Sequence, residues 1–243
     1  MNGDGCLAGT FTARRGELEA SVDLDVAPGR TLALFGPNGA GKSTVLAAIA
    51  GLVPLASGRL RLGDRVLADA GIGRALAPED RRIGVVFQDY LLFPHLTVRD
   101  NVAFAARMAG ASRRASREAA EAWLARVGAS GLAARHPLAL SGGQQQRVAV
   151  ARALAAEPDA LLLDEPLSAL DVEVRADLRR ELAAHVRGFG GPTLLVTHSL
   201  ADAELADEAV VLEAGRVTQR GTLDELRRAP ATAYVERLVH AAA

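Results

Sequence analysis

Eight consecutive residues, Gly36-Pro37-Asn38-Gly39-Ala40-Gly41-Lys42-Ser43, bring three glycines, a lysine and a hydroxyl together, and Thr44 extends the hydroxyl run. Glycines let backbone N–H groups turn inward and approach an anion closely. A helix that starts directly after such a loop adds the positive end of its dipole. Lys42 supplies a compact three-donor charge, and Ser43 a hydroxyl that suits Mg²⁺. This is the P-loop pattern, whose chemistry is to hold the β- and γ-phosphates of a nucleoside triphosphate. Lys42 is the only lysine in the chain; the remainder of the 28 basic residues are arginine. A lysine falling at random among those 28 positions would land here about one time in 28. A planar guanidinium fork is a poor substitute for a point charge between two phosphates.

Two further groups of residues could act on a bound phosphate. Asp164 and Glu165 follow the apolar run 160–163, at what would be the carboxyl end of a strand, where ligands sit in an open α/β sheet. Asp164 suits Mg²⁺ through water, and Glu165 suits orienting or deprotonating an attacking water. An apolar run ending in two acids is also common in purely structural settings. The second group is Ser141-Gly142-Gly143. Ser141 is placed to cap a helix whose first backbone amides are free, and such a helix start can receive a γ-phosphate.

Leu140-Ser141-Gly142-Gly143-Gln144-Gln145-Gln146-Arg147, taken with the phosphate loop, resembles the signature of the ATP-binding subunit of ABC transporters. The resemblance extends over roughly 18–228. It implies ATP and Mg²⁺ as cofactors and ATP hydrolysis as the reaction. Gln88, after the apolar run 83–87, resembles the glutamine that meets Mg²⁺ and the water. Ser168-Ala169-Leu170-Asp171 resembles the D-loop, and His198 the switch histidine at the γ-phosphate. The resemblance thus assigns Glu165, His198, Gln88 and Lys42 to catalysis. It assigns Ser43, Gln88 and Asp164 to the metal, and residues 36–44 with Ser141, Gly142, Gly143 and Asp171 to the nucleotide. In this family two subunits sandwich two ATP molecules, and each completes the other's site with Ser141 and Gly143. One departure is plain. The family places an aromatic residue upstream of the phosphate loop to stack on adenine, but none lies between Thr12 and Leu34, and Phe11 is the only nearby candidate.

The run 87–98 (Phe-Gln-Asp-Tyr-Leu-Leu-Phe-Pro-His-Leu-Thr-Val), with Gln144-Gln145-Gln146-Arg147, is similar to prokaryotic importers of small ions, most of all the molybdate group. Sulfate, ferric-iron and polyamine importers share much of this pattern, and an ABC exporter or a non-transport ABC ATPase is the more distant alternative. The importer resemblance implies further partners: membrane permease subunits and a periplasmic or lipoprotein solute-binding protein, with no nucleic acid. It places the chain at the cytoplasmic face of the inner membrane, peripheral, through the permease. Tyr90, Leu91, Leu92, Phe93 and Pro94 form an apolar cluster that either docks on a membrane subunit or packs within the chain.

These residues need strands and helices to position them. Strict alternation over 17–26 predicts a half-exposed, antiparallel strand. Alternation over 59–67 around Gly63-Asp64 predicts a hairpin. Apolar runs at 31–35, 83–87, 160–163, 193–197 and 209–212 predict buried strands. Helices are expected at 43–50, from Ser141 to about 156, at 172–189, near 201–206 and from 223. From about 98 to 128 the pattern is helical and Ala/Arg-rich with no strand candidate. The fold class expected is α/β: a P-loop NTPase with a mostly parallel central sheet, an antiparallel β subdomain and an inserted helical subdomain. The whole of 1–243 is read as one ABC ATPase domain, with the helical subdomain at about 89–157 and no C-terminal regulatory domain.

Composition agrees with that reading. Of 243 residues 49% are hydrophobic and 23% charged, an ordinary globular balance, and a net charge of −1 gives no general attraction to nucleic acid or anionic membrane. The Arg113-to-Arg117 stretch is read as a solvated helix face. Cys6, the single cysteine, can form neither an internal disulfide nor a multi-cysteine zinc site. The first ten residues lack a signal-peptide pattern, and no run approaches the roughly 20 apolar residues of a membrane-spanning helix.

Overall fold

A computed structural model of the chain describes residues 5–168 and 172–240, with side chains for all of these except 172–174. The strands in chain order are β1 (Leu7–Arg15), β2 (Leu18–Val26), β3 (Thr31–Phe35), β4 (Leu55–Leu62), β5 (Arg65–Asp69), β6 (Arg74–Ala75), β7 (Ile83–Val86), β8 (Ala160–Asp164), β9 (Thr193–Val196), β10 (Glu208–Glu213) and β11 (Arg216–Gly221). The helices are α1 (Lys42–Ala50), α2 (Val98–Met108), α3 (Arg113–Arg126), α4 (Gly142–Ala155), α5 (Val172–Phe189), α6 (Leu200–Ala203), α7 (Leu223–Arg228) and α8 (Ala233–His240).

All the strands belong to one sheet, in the order β6-β5-β4-β1-β2-β11-β10-β3-β9-β8-β7. Its two halves follow two sequence patterns. β3 and β9 are buried at every position, and β8 at all but its last, so these runs have no polar face to give to water. They pair in parallel as β10-β3-β9-β8-β7, the arrangement that places a strand between two covering layers. β2 alternates exposed and buried residues and lies antiparallel to β1, as its pattern predicts. β4 and β5 form the expected antiparallel hairpin. The parallel and antiparallel portions are continuous, because β11 is antiparallel to β10 and parallel to β2.

Four elements have no counterpart in the sequence expectations: β1, β6, β11 and α8. The expected helix near 201–206 is shorter and earlier, α6, with Ser199 accepting from the Asp202 amide at its N-cap. Between β7 and β8 the chain forms α2, α3 and α4, which share a core of Val102, Ala120, Leu124, Val148 and Ala151. Arg113, Arg114 and Arg117 are exposed, as a solvated face requires. Among the described residues no helix is long and apolar enough to cross a membrane.

The parallel half sets up the site. β3, β9, β8 and β7 are neighbours running in one direction, so their carboxyl ends share one edge. Directly after those ends come Gly36, His198, Asp164-Glu165 and Gln88. Residues spread over more than 160 positions of sequence thereby arrive at one place.

Candidate active site

The phosphate loop leaves β3 at Phe35 and turns against its neighbours without room for a side chain at Gly36 or Gly41. A Cβ on Gly36 would lie 2.1 Å from the Leu212 carbonyl oxygen, and one on Gly41, whose φ is 105°, would lie 2.7 Å from the Ala20 Cβ. Gly41 is the N-cap of α1 and provides no side-chain cap, so the first amides of that helix are open to an anion. Lys42 is only 7% exposed, and its Nζ donates to the Gly36 oxygen (2.8 Å) and the Pro37 oxygen (3.1 Å). The ammonium therefore lies folded over the loop with donor capacity left for a ligand. Burial pulls its pKa down, opposed by the nearby Glu165 and Asp164 carboxylates. Ala40 and Thr44 are buried, while Asn38, Gly39 and Ser43 face outward.

At the end of β8, burial pushes the Asp164 pKa up, and the Glu165 charge adds to this. Lys42 and the adjacent Ser43 hydroxyl pull the other way. Glu165 has a left-handed backbone, φ 45°, a conformation that costs a non-glycine residue on the order of 1 kcal/mol. Three hydrogen bonds hold it there. Its amide donates to the Val196 oxygen (2.9 Å), and its carbonyl accepts from the Ser168 amide (3.1 Å) and hydroxyl (2.9 Å). The turn aims the carboxylate at His198, whose Nδ1 lies 3.2 Å from Glu165 Oε2. Thr197 Oγ1 accepts from the Ser199 amide and shapes the turn that presents the imidazole.

Gly36, Pro37 and Asn38 of the loop, with Gln88, Glu165 and His198, line a cavity of about 660 Å³. Lys42 adjoins it through its bonds to the Gly36 and Pro37 carbonyls, and Asp164 precedes the lining residue Glu165. The donors suit Mg²⁺: a hydroxyl (Ser43), a carboxylate (Asp164) and an amide (Gln88) are hard oxygen ligands. Among the described residues no cluster of three or more His, Cys, Asp or Glu could enclose a metal.

Not every expected residue joins this cavity. Ser141 caps α4 in a reciprocal capping box with Gln144, its Oγ accepting from the Gln144 amide and its own amide donating to Gln144 Oε1. Neither Ser141, Gly142 nor Gly143 lines the cavity of its own chain. Asp171 lies outside the described residues. Phe11 is 2% exposed and its ring is taken up by the core. The apolar segment 90–94 divides. Tyr90 is buried and Leu92 packs against two core clusters, Phe93 meets Phe104 edge-on at 4.9 Å, and Leu91 is exposed. Arg152 of α4 donates to the Tyr90 (2.7 Å) and Leu91 (2.6 Å) carbonyls, tying that segment to the helix that Ser141 begins.

The cavity has a wall that the motifs do not supply. Tyr234, Arg237 and Leu238 of α8 close its remaining side. The signal was present in the sequence: Tyr234, Arg237 and Leu238 are three and four apart, on one helical face.

Comparison with known proteins agrees with this geometry. Residues 20–168 match the family model described as ABC transporter. The molybdenum import ATP-binding protein of Mycobacterium tuberculosis is 49% identical over 222 residues, which is 89% of this chain and 60% of that protein. An Fe(3+) ions import ATP-binding protein of Streptomyces avermitilis is 46% identical over 90% of this chain and 62% of its own length. A sulfate/thiosulfate import ATP-binding protein of Rhizobium meliloti is 45% identical over 88% and 58%. The chain thus spans about three fifths of the length of the curated relatives it matches. A solved dimeric ATP-binding cassette in a post-hydrolysis state, bound to ADP and Pi, superposes with a TM-score of 0.73 at 32% identity, covering 90% of this chain and 98% of that one. With the family model matching more than half of its residues, over the same β3, α1, α4 and β8 that build the cavity, the chain belongs to the ABC transporter family.

Proposed function

We propose that this chain binds ATP with Mg²⁺ and hydrolyses it to drive a membrane importer of a small ion, with molybdate as the transported substrate. The observation that carries the proposal is the convergence of Lys42, Asp164, Glu165, Gln88 and His198 on one edge of the parallel sheet. Phosphoryl transfer to water needs positioning and charge stabilisation more than covalent chemistry. The loop amides of 36–44 and Lys42 hold the phosphates. Glu165 orients the attacking water and takes its proton, and His198, 3.2 Å from Glu165, fixes that carboxylate beside the γ-phosphate. Ser43, Asp164 and Gln88 would hold Mg²⁺, which neutralises charge on the β- and γ-phosphates when bound.

A second copy completes each site. Ser141, Gly142 and Gly143 stand at a helix start away from their own chain's cavity, so they are free to meet the nucleotide of a partner. The dimeric state of the similar solved cassette supports this. Permease subunits and a solute-binding protein complete the assembly, which keeps this chain at the cytoplasmic face of the inner membrane. Within the 90–94 segment, Leu91 is an exposed apolar residue suited to the permease contact. The chain is one ATPase domain, with the helices of about 89–157 as its inserted subdomain. Sulfate or ferric iron is the second reading of the substrate, favoured by relatives only a few per cent less identical than the molybdenum protein.

The test is Glu165→Gln. Phosphate release should fall by roughly 10²-fold or more, while ATP binding persists and a dimer accumulates in size-exclusion chromatography with ATP. A normal rate in that variant overturns the assigned base. Uptake of labelled molybdate by the reconstituted importer, competed with sulfate and ferric iron, decides the substrate.

A further inference from the structure

The nucleotide motifs leave one wall of the cavity without a role. It is built by α8, which is anchored independently of the site. Val235 and Leu238 are buried against Ala33 and Phe35 of β3 and Val211 of β10. Thr232 Oγ1 donates to Glu213 Oε1 (2.6 Å) and accepts from the Val235 amide (3.3 Å), fixing the start of the helix to the end of β10. The strand that α8 packs on is the strand from which the phosphate loop springs. Its other face therefore looks onto that loop, with Tyr234 and Arg237 one turn apart.

Tyr234 is half-buried and lines the cavity beside Gly36, the first residue of the loop; burial pushes its phenol pKa up, and the backbone N–H of Gly36 opposes this. Gly36 is also the residue whose carbonyl oxygen receives the Lys42 ammonium. One residue thus faces a tyrosine at its N–H and the phosphate-binding lysine at its carbonyl. Arg237 is exposed to the cavity that Gln88, Glu165 and His198 share, and among the described residues it forms no ion pair. A guanidinium there adds a fork-shaped donor set to a site whose ligand is a polyanion.

We infer that α8 is a working part of the nucleotide site: Arg237 binds the terminal phosphate group of the nucleotide, and Tyr234 is a positioning residue that holds the phosphate loop through Gly36. This rests on the ATP reading above. The two residues act differently. Arg237 shares the cavity with Gln88 and His198, the residues assigned above to the γ-phosphate that a diphosphate lacks. Tyr234 acts on the loop that grips both nucleotides.

Equilibrium binding of MgATP and MgADP, and inhibition of hydrolysis by inorganic phosphate, are to be measured on the full chain and on Arg237→Gln, Arg237→Lys and Tyr234→Phe. Arg237→Gln should weaken MgATP about tenfold and leave MgADP within about twofold, since a charge-assisted pair is lost only in the triphosphate complex. Inhibition by phosphate should weaken in parallel, and Arg237→Lys should recover part of both. Tyr234→Phe, which keeps the packed ring, should weaken MgATP and MgADP by the same factor of a few, raising KM for ATP more than it lowers kcat. An unaltered ATP-to-ADP preference in both Arg237 variants overturns the inference while leaving the ATP reading intact. Equal weakening of the two nucleotides by Arg237→Gln, without rescue by lysine, marks a purely structural role and also overturns it. Failure of the unmodified chain to bind MgATP sinks the ATP reading and this inference with it.

Discussion

Arg81 offers a sharp test of how the phosphate-binding helix is held. Its side chain is 2% exposed, and burial depresses its pKa with no nearby carboxylate to compensate. Nη1 donates to the Ala48 (2.7 Å) and Ile49 (2.8 Å) carbonyls in the last turn of α1, and Nε to the Leu76 carbonyl (3.1 Å). The carboxyl end of a helix carries negative partial charge, so the guanidinium is placed where that charge favours a cation. α1 is thus closed at one end by a buried arginine and open at the other to phosphate. In Arg81→Met the apolar stem is retained and the donors are lost. Ala48 O keeps the Gly51 amide at 3.2 Å, leaving Ile49 O and Leu76 O without this donor. Two buried acceptors cost about 1–3 kcal/mol each, and relief of the buried charge returns part of this. A net loss of about 3 kcal/mol follows, and for a chain of this size that lowers Tm by about 6–12 °C. Arg81→Lys keeps a charge but cannot span three carbonyls, so it should recover less than half. Thermal unfolding without nucleotide measures both variants. A Tm for Arg81→Met within about 2 °C of the unmodified chain would refute the reasoning, because it would mean that the desolvation cost cancels the hydrogen bonds.

Three further outcomes are expected. Asp164→Asn should abolish hydrolysis yet raise the Tm of the nucleotide-free protein at pH 7. Its folded pKa is raised above 3.8, so the folded carboxyl binds its proton more tightly than the unfolded one, and stability falls as pH rises from that value through the folded pKa. The advantage of the Asn variant should shrink in melts at about pH 4, and a lower Tm than wild type at pH 7 would contradict this. Lys42→Arg should lose hydrolysis by at least about 10²-fold in a phosphate-release assay, since a wider guanidinium must fit where Nζ now reaches two loop carbonyls. Gly36→Ala places a Cβ 2.1 Å from a backbone oxygen, so nucleotide binding by fluorescence titration should be lost even in the fraction that folds.

How much of this was legible depended on where the information lay. β3, β8 and β9 are short, wholly buried runs and announce themselves by apolarity, and β2 by alternation. β1 hid because Gly9 interrupts its pattern, and the gap is filled by backbone: a Cβ there would meet Arg59 O at 2.2 Å. β11, Arg-Val-Thr-Gln-Arg-Gly, is largely exposed and owes its strand character to pairing with β10 through a turn at Ala214-Gly215, both with positive φ. Ala-Gly is not among the strong hairpin signals, so nothing local marked it. The site shows the same division. Lys42 and Ser141 sit in contiguous motifs whose spacing states their chemistry. The contact between Glu165 and His198 joins two strands far apart in sequence, and only the order of the sheet brings it about.

The features that local patterns do not explain gather at one edge of the sheet, which has a physical reason. Lys42 is buried and its charge opposed by desolvation, Asp164 is held away from its ordinary ionisation, and Glu165 keeps a backbone conformation unfavourable for its type. Each costs the ligand-free fold stability, and each is tolerated because the elements beneath are over-determined: β3, β8 and β9 are buried throughout or nearly so, and α1 is buried at every position but Ser43. Bringing a phosphate and its cation to that edge gives Lys42 a direct anionic partner and adds positive charge beside Asp164, which now has Lys42 and the Ser43 hydroxyl set against burial and Glu165. The same residues are therefore poor neighbours without nucleotide and good ones with it. A ligand that binds only the folded state at 100 times its Kd adds about 2.7 kcal/mol to stability, comparable with the loss assigned above to removing Arg81. A site built this way makes the stability of that edge depend on nucleotide occupancy, which is the coupling that the proposed transfer of nucleotide state to a partner requires.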